Sequence, residues 1–209
     1  MIRLNKGQIP PILSSNKEDW DSIYKEAIRN GGKCPRYYAH GSIKDALKTE
    51  TNGKCAYCEA KSAHVSWGDV EHIRPKATNE NLVHDWLNLT YACSICNNNK
   101  SDYDSEPRLI NPYSDDPEDF LMATGPVING ILGAVRGELT IRMLGLNREE
   151  LFLRRCEKIE SLNILLNRWS EASGPLKDLL WQELLKEVSA DKEFSFVLKK
   201  YLSDRTGVT

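Results

Sequence analysis

Apolar residues recur every three or four positions over residues 17–30, at Trp20, Ile23, Tyr24, Ala27 and Ile28. This spacing predicts an amphipathic helix with Asn16 as its N-cap and Gly31 just past its end. A second, shorter helix fits residues 42–52, with Ile43, Ala46 and Leu47 on one face, Ser42 as cap and Gly53 as stop. From Cys55 to Asp102 the helical period is lost, and the short runs "GDVEHI" and "LNLTYA" read as strands. Residues 103–137 are rich in Pro, Gly, Asp and Ser and read as loops with a hairpin.

Helical spacing returns after Gly145. Asn147 and Glu150 have capping-box spacing, and Phe152, Cys156, Ile159, Leu162, Leu165 and Trp169 follow as an apolar stripe. Ser173 and Pro175 open another helix that carries Leu176, Leu179, Leu180, Leu184 and Val188, and a last one covers residues 194–202. The pattern predicts an α+β chain that is mostly helical. It divides into an N-terminal helical segment (1–52), a chemically dense core (53–104), a loop and hairpin connection (105–145) and a C-terminal helical region (146–209).

Composition narrows the class. Of the 209 residues, 40% are hydrophobic and 28% charged, and no run approaches the roughly 20 apolar residues of a membrane span. The first 20 residues lack the apolar stretch of a secretory signal, so a cytoplasmic protein without a membrane partner is expected. A net charge of −2 excludes binding to nucleic acid by bulk electrostatics, so a polyanion has to be held locally or delivered by a partner.

Six cysteines in a reducing compartment point to metal ligation rather than disulfides. Cys55 with Cys58 and Cys93 with Cys96 are two Cys-x-x-Cys pairs with 34 residues between them, and suit one tetrahedral Zn2+. Four thiolates leave the metal no open position, so the zinc is structural, and a zinc deaminase is excluded. Cys34 and Cys156 lack such partners and read as core thiols. His40, His64 and His84 are isolated and read as structural or exposed, while Trp67 and Trp86 read as packing residues.

Between the knuckles lies "DVEHIRPK", in which Glu71 and His72 are adjacent at the end of a strand, where both can reach one site. A carboxylate suits Mg2+ or Mn2+, and a neutral imidazole beside it can take a proton from water. That combination suits phosphodiester hydrolysis. Asn97 offers a second oxygen ligand directly after the last cysteine, and Lys100, one helical turn on, a cation for a phosphate. Arg74 and Lys76 are further candidate nucleic-acid contacts.

The series Cys55-x-x-Cys58, Glu71-His72-Ile73-Arg74-Pro75, Asn88-Leu89 and Cys93-x-x-Cys96-Asn97-x-x-Lys100 resembles HNH endonucleases of the zinc-clasped ββα-metal type. The resemblance implies a small ββα-metal core with His72 as general base, Glu71 and Asn97 as ligands of a catalytic Mg2+ or Mn2+, and Asn88 as a residue that supports the loop and orients the base. Glu71 stands where aspartate is commoner and Asn97 where many members have histidine, which bears on metal preference. An unperturbed imidazole implies that activity falls as pH drops through about 6.5.

With its 50-residue leader and helical tail, the chain is also similar in layout to the PtuB-like HNH subunits of Septu-type and retron-associated anti-phage defence systems. That likeness implies an ABC-like (PtuA-like) ATPase partner. With no basic surplus to bring substrate, an exposed part of the helical tail is the natural docking surface, and the expected substrate is nucleic acid, DNA before RNA. An RNA (tRNA)-cleaving effector and a non-catalytic zinc-stabilised adaptor are the alternatives. Deleting the residues after Arg148 is the corresponding test of docking.

Overall fold

The computed structural model describes residues 1–61 and 68–207, so His64 and Trp67 lie outside the described residues. The chain runs α1 (Pro11–Arg29), α2 (Gly41–Glu50), β1 (Asp69–His72), β2 (Leu89–Ala92), α3 (Ser94–Lys100), β3 (Leu121–Thr124), β4 (Val127–Gly130) and α4 (Val135–Leu144). It ends in α5 (Glu149–Glu171), α6 (Gly174–Glu187) and α7 (Ser195–Thr206). β1 and β2 pair antiparallel with Glu71 opposite Thr90 and His72 opposite Leu89, and β3 and β4 form a second antiparallel pair. The fold is α+β: short two-stranded sheets among helices.

Two apolar clusters flank the β1–β2 hairpin. One joins α1 and α2 to Val70, Val83, Trp86, Leu89 and Tyr91, and the other runs from the cysteines through β3–β4 into α4, α5, α6 and α7. Trp86 is buried in the first and donates its indole N–H to the Gly7 carbonyl at 2.9 Å, a packing role. Cys34 packs at the edge of that cluster, and Cys156 is half-buried on α5.

Several helix starts differ from the pattern. α1 begins at Pro11, because a proline at the first position needs no N–H partner, and Asn16 bonds back to the Ile12 carbonyl instead of capping. α2 is capped by the His40 ring, which accepts the Ser42 N–H, so Ser42 lies inside the first turn. Asn147 does not cap α5 either. Its amide accepts from the Ile128 N–H at 2.9 Å and donates to the Ile128 carbonyl at 2.7 Å, clamping the hairpin onto the helix.

The connection contains the expected hairpin and also α4, which its glycines conceal. Gly137 sits inside the helix because a Cβ there would come within 2.1 Å of the Phe120 carbonyl oxygen. The buried stripe of α5 is rotated from the expected one, with Leu151, Arg155, Ile159, Leu162 and Leu166 facing inward. Arg155 is part of that inward face: fully buried, it donates to the Pro126 carbonyl at 3.2 Å and to Asn147 at 3.3 Å, over the Phe194 ring. On α6, Leu180 and Leu184 are buried, whereas Leu176 and Leu179 are 57% and 68% exposed.

Candidate active site

The two Cys-x-x-Cys turns converge. The Sγ atoms of Cys55, Cys58, Cys93 and Cys96 all lie within 4.8 Å of one another, and all four residues are buried. A tetrahedral zinc at about 2.3 Å from each sulfur needs sulfurs about 3.8 Å apart, and Cys58 and Cys93 are separated by 3.9 Å. The cluster can therefore hold a metal such as zinc. The Cys93 sulfur also accepts the Cys96 N–H at 3.4 Å, so the knuckle caps α3 and fixes where that helix starts.

Arg148 completes the knuckle from the far side of the sequence. Its guanidinium lies 3.7 Å from the Cys96 sulfur and 3.9 Å from those of Cys58 and Cys93. Burial works against its charge, but the sulfurs of Cys96, Cys58 and Cys93 hold its pKa above the usual arginine value. A metal with four thiolates carries excess negative charge, and a fixed guanidinium offsets it.

The hairpin and α3 together form a polar cleft of about 300 Å3, lined in part by Glu71, His72, Lys76, Asn97 and Lys100. Glu71 and His72 reach it from opposite faces of β1 because the strand ends at His72. Asn97 and Lys100 reach it from adjacent turns of α3.

His72 is 4% exposed, its ring edge-on to Tyr38 at 4.6 Å, and its Nε2 lies 2.9 Å from the Val83 carbonyl oxygen. A carbonyl only accepts, so Nε2 carries the proton and Nδ1 is the basic nitrogen. Burial pushes the His72 pKa down to about 4, helped by Lys76, Lys100 and His84 and opposed by the Val83 carbonyl. The acid limit expected near pH 6.5 therefore moves to lower pH.

Glu71 is buried, with Lys100 Nζ 2.8 Å from Oε1. The contact is close but poorly directed, and among the described residues Oε1 has no well-aligned hydrogen bond. Burial pushes the Glu71 carboxyl up, against the pull of Lys100 and Lys76. A buried carboxylate so placed is a fitting ligand for a hard divalent cation. Asn97 donates its amide to Asp69 Oδ2 at 3.4 Å, which turns its carbonyl oxygen the other way.

Asn88 lies behind the cleft. It accepts the Arg74 N–H at 2.8 Å and donates to the carbonyls of Arg74 at 3.0 Å and Leu82 at 3.1 Å. It thus ties the chain after His72 to the turn whose next residue, Val83, holds the imidazole. The Arg74 guanidinium is engaged with Asp104 at 3.3 Å and does not line the cleft.

The partners that position these groups escaped the sequence. Val83 acts through its backbone, which has no residue signature, and Asp69 shows only through the two-residue period that puts it on the face of Glu71. Arg148 lies 52 residues from the nearest sulfur ligand in the chain, beyond any local spacing rule. His84, read as isolated, is buried and bonds Asp21 at 2.8 Å.

Comparison with known proteins agrees with this geometry. A family profile described as HNH endonuclease matches residues 55–103, the span from the first knuckle to the end of α3. The Septu protein PtuB of Bacillus thuringiensis is 32% identical, with 97% of this chain and 82% of that protein aligned. An HNH endonuclease assigned to retron Vc95 of Vibrio cholerae serotype O1 biovar El Tor is 30% identical over 70% of this chain and 80% of its own length. The Septu protein PtuA of Bacillus mycoides (strain KBAB4) is 25% identical over 98% of this chain but 31% of its own length. With two knuckles, an acid–histidine strand end and a matching relative over nearly the whole length, the chain belongs to the HNH endonuclease family that includes the Septu PtuB proteins.

Proposed function

We propose that the chain is a divalent-metal-dependent endonuclease that hydrolyses phosphodiester bonds of nucleic acid, DNA before RNA. In this reading it is the cytoplasmic nuclease effector of a bacterial anti-phage defence system and works with a PtuA-like ATPase of the ABC-like class. The observation that carries the reading is the single cleft shared by Glu71, His72 and Asn97 on a cysteine-clasped hairpin and helix. An ATPase partner is supported by the likeness of a stretch of the PtuA protein to nearly all of this chain.

His72 Nδ1, unprotonated at neutral pH, accepts the proton of the water that attacks phosphorus, while the P–O bond to the 3′-oxygen breaks and that oxygen leaves and takes a proton from solvent. Val83 and Tyr38 hold the imidazole in the orientation this requires, and Asn88 holds the turn behind it. Lys100 and Lys76 meet the phosphoryl oxygens at the floor and rim. Glu71 and Asn97 Oδ1 would hold Mg2+ or Mn2+, which when bound supplies Lewis-acid stabilisation of charge on the reacting phosphate. The four cysteines hold structural Zn2+ and keep α3 against β1.

The test is incubation of the purified chain with plasmid DNA and with total RNA, in Mg2+, Mn2+ or neither, each with and without the neighbouring ATPase. Metal-dependent cleavage of at least one polymer is expected. Failure of every combination, with the chain folded and its zinc bound, would replace this reading with that of an adaptor.

A further inference from the structure

Behind Lys100 lies a second cavity, of about 200 Å3, that the catalytic reading does not use. Lys100 lines both spaces, so the two share a wall. The second is closed on one side by Ile73 and Arg74, which follow His72, and on the other by the chain from Tyr103 to Asp115 and by Arg136 of α4.

Its walls combine two chemistries. Ile73, Leu109, Ile110 and the rings of Tyr57 and Tyr103 are apolar or aromatic, while Arg74, Lys100, Arg108 and Arg136 are charged and each is paired, Arg74 and Arg108 with Asp104, Arg108 also with Glu106, Arg136 with Asp115 and Lys100 with Glu71. Arg136 is fully engaged, bonding Asp115 at 2.5 Å and the Arg108 and Leu109 carbonyls at 3.0 and 3.1 Å, so it shapes the wall. Tyr57 is 1% exposed, and its hydroxyl has no hydrogen-bond partner among the described residues. A buried, unpaired hydroxyl on the wall of a cavity is a costly feature that a polar ligand atom would relieve.

A bare phosphate would leave the aromatic and aliphatic wall unused, and a base pair is too large for the space. A flat ring with polar edges matches both wall types, through stacking on Tyr and through hydrogen bonds. We propose that this cavity receives one unpaired nucleobase of the substrate strand, displaced from its neighbours while the adjoining phosphate lies at His72. The proposal rests on the nuclease reading above and narrows it: the substrate is a single strand, loop or bulge, in DNA or RNA, and not an undistorted duplex.

The test is fluorescence-anisotropy binding by the non-cleaving His72→Ala protein. The probes are labelled single-stranded DNA and RNA oligonucleotides, their duplexes, and the same single strands with one abasic residue moved along the sequence. Single strands should bind about ten-fold or more above duplexes, and one abasic position should lose about ten-fold, the low end of a base-stacking contact. Ser114→Trp, at the exposed rim, should abolish the difference between intact and abasic strands. Tyr57→Phe should weaken binding while leaving the melting temperature equal or higher, because it removes an unpaired buried hydroxyl.

Equal affinity for single strand and duplex, insensitivity to every abasic position, or variants that bind as the parent does would overturn the pocket alone if the unmodified chain cleaves. Absence of both binding and cleavage would overturn the pocket and the nuclease reading together. The DNA and RNA arms identify which polymer supplies the base.

Discussion

Among the described residues from Cys55 to Lys100 the longest regular element is the seven-residue α3, whereas α5 alone runs 23 residues. The first stretch is held by four sulfurs, by Asn88 and Asn97, and by carbonyls such as that of Val83. The C-terminal helices are held by interdigitated apolar side chains, among them Leu162, Leu166, Leu184, Phe194 and Leu198. Elements of four to seven residues bury too little to order themselves, so the clustered cysteines, which can hold a metal, and directed hydrogen bonds take over. The same directed bonds fix side chains to the accuracy that chemistry needs. The regions meet at Arg148, which touches three of the sulfurs from the start of α5, and at Asn99, which donates to the Leu144 carbonyl at 3.3 Å. The three asparagines after Cys96 thus have separate tasks: Asn97 and Asn98 line the cleft, and Asn99 ties α3 to α4.

The largest effect that separates the two regions comes from removing the clasp. Stripping zinc, or Cys93→Ser, forfeits on the order of 10 kcal/mol of metal-binding free energy. The hairpin and α3 should lose protection in hydrogen exchange while the centre of α5 keeps most of its own. Equal loss in both would show one indivisible unit. Next, Leu162→Ala, at a site 3% exposed, should cost about 2–5 kcal/mol in urea unfolding yet leave zinc content unchanged.

A third, smaller effect lies in acid. Burial holds His72 near 4, below the roughly 6.5 of an unfolded histidine, so below pH 6.5 the unfolded chain takes up a proton that the folded one refuses. The stability is fully present above pH 6.5 and is lost as pH falls towards 4, by about 2 kcal/mol at pH 5. The buried His84 adds to this with the same sign. Urea midpoints at pH 7.5 and 5.0 should fall further apart for the parent than for His72→Asn, which shares the acid sensitivity of the thiolates. Identical differences would contradict the buried neutral imidazole.

Arg148→Gln should speed zinc transfer to a chelating dye and cost about 1–3 kcal/mol, because three N–H···S contacts to charged sulfur disappear. The smallest effect is expected at the solvent face of α6. Leu176→Ser with Leu179→Ser should change stability by no more than about 0.5 kcal/mol per site. Loss of ATPase binding in that variant would locate docking there. Deletion after Arg148 is a poor test of docking, since α5, α6 and α7 complete the apolar cluster around the cysteines.

Much of the site could be read in the sequence because its chemistry is local. The Cys-x-x-Cys pairs, the Glu71–His72 neighbours and Asn97 after the last cysteine are short-range patterns, and the fold brings the first to one cluster and the others to one cleft. The long helices were legible from their apolar period, but their inward faces were not. Arg155 occupies a place in the buried α5 stripe between Leu151 and Ile159, and no period in hydrophobicity marks a buried arginine. Nor does spacing show that Lys100 lies against Glu71, or that Arg74 turns to Asp104, because both pairings depend on how α3 lands on the hairpin. α4 was hidden because Gly137, a poor helix former, is required there by the close approach to Phe120.

The central claim is that the cysteine clasp holds a cleft in which His72 takes a proton from water. The most direct measurement compares the parent with His72→Ala for cleavage rate in Mn2+ and, in the same samples, zinc content and far-ultraviolet circular dichroism. The account predicts unchanged zinc and dichroism with a rate lower by about 10^2–10^4-fold. A folded, zinc-loaded His72→Ala protein that cleaves at the parental rate would contradict it.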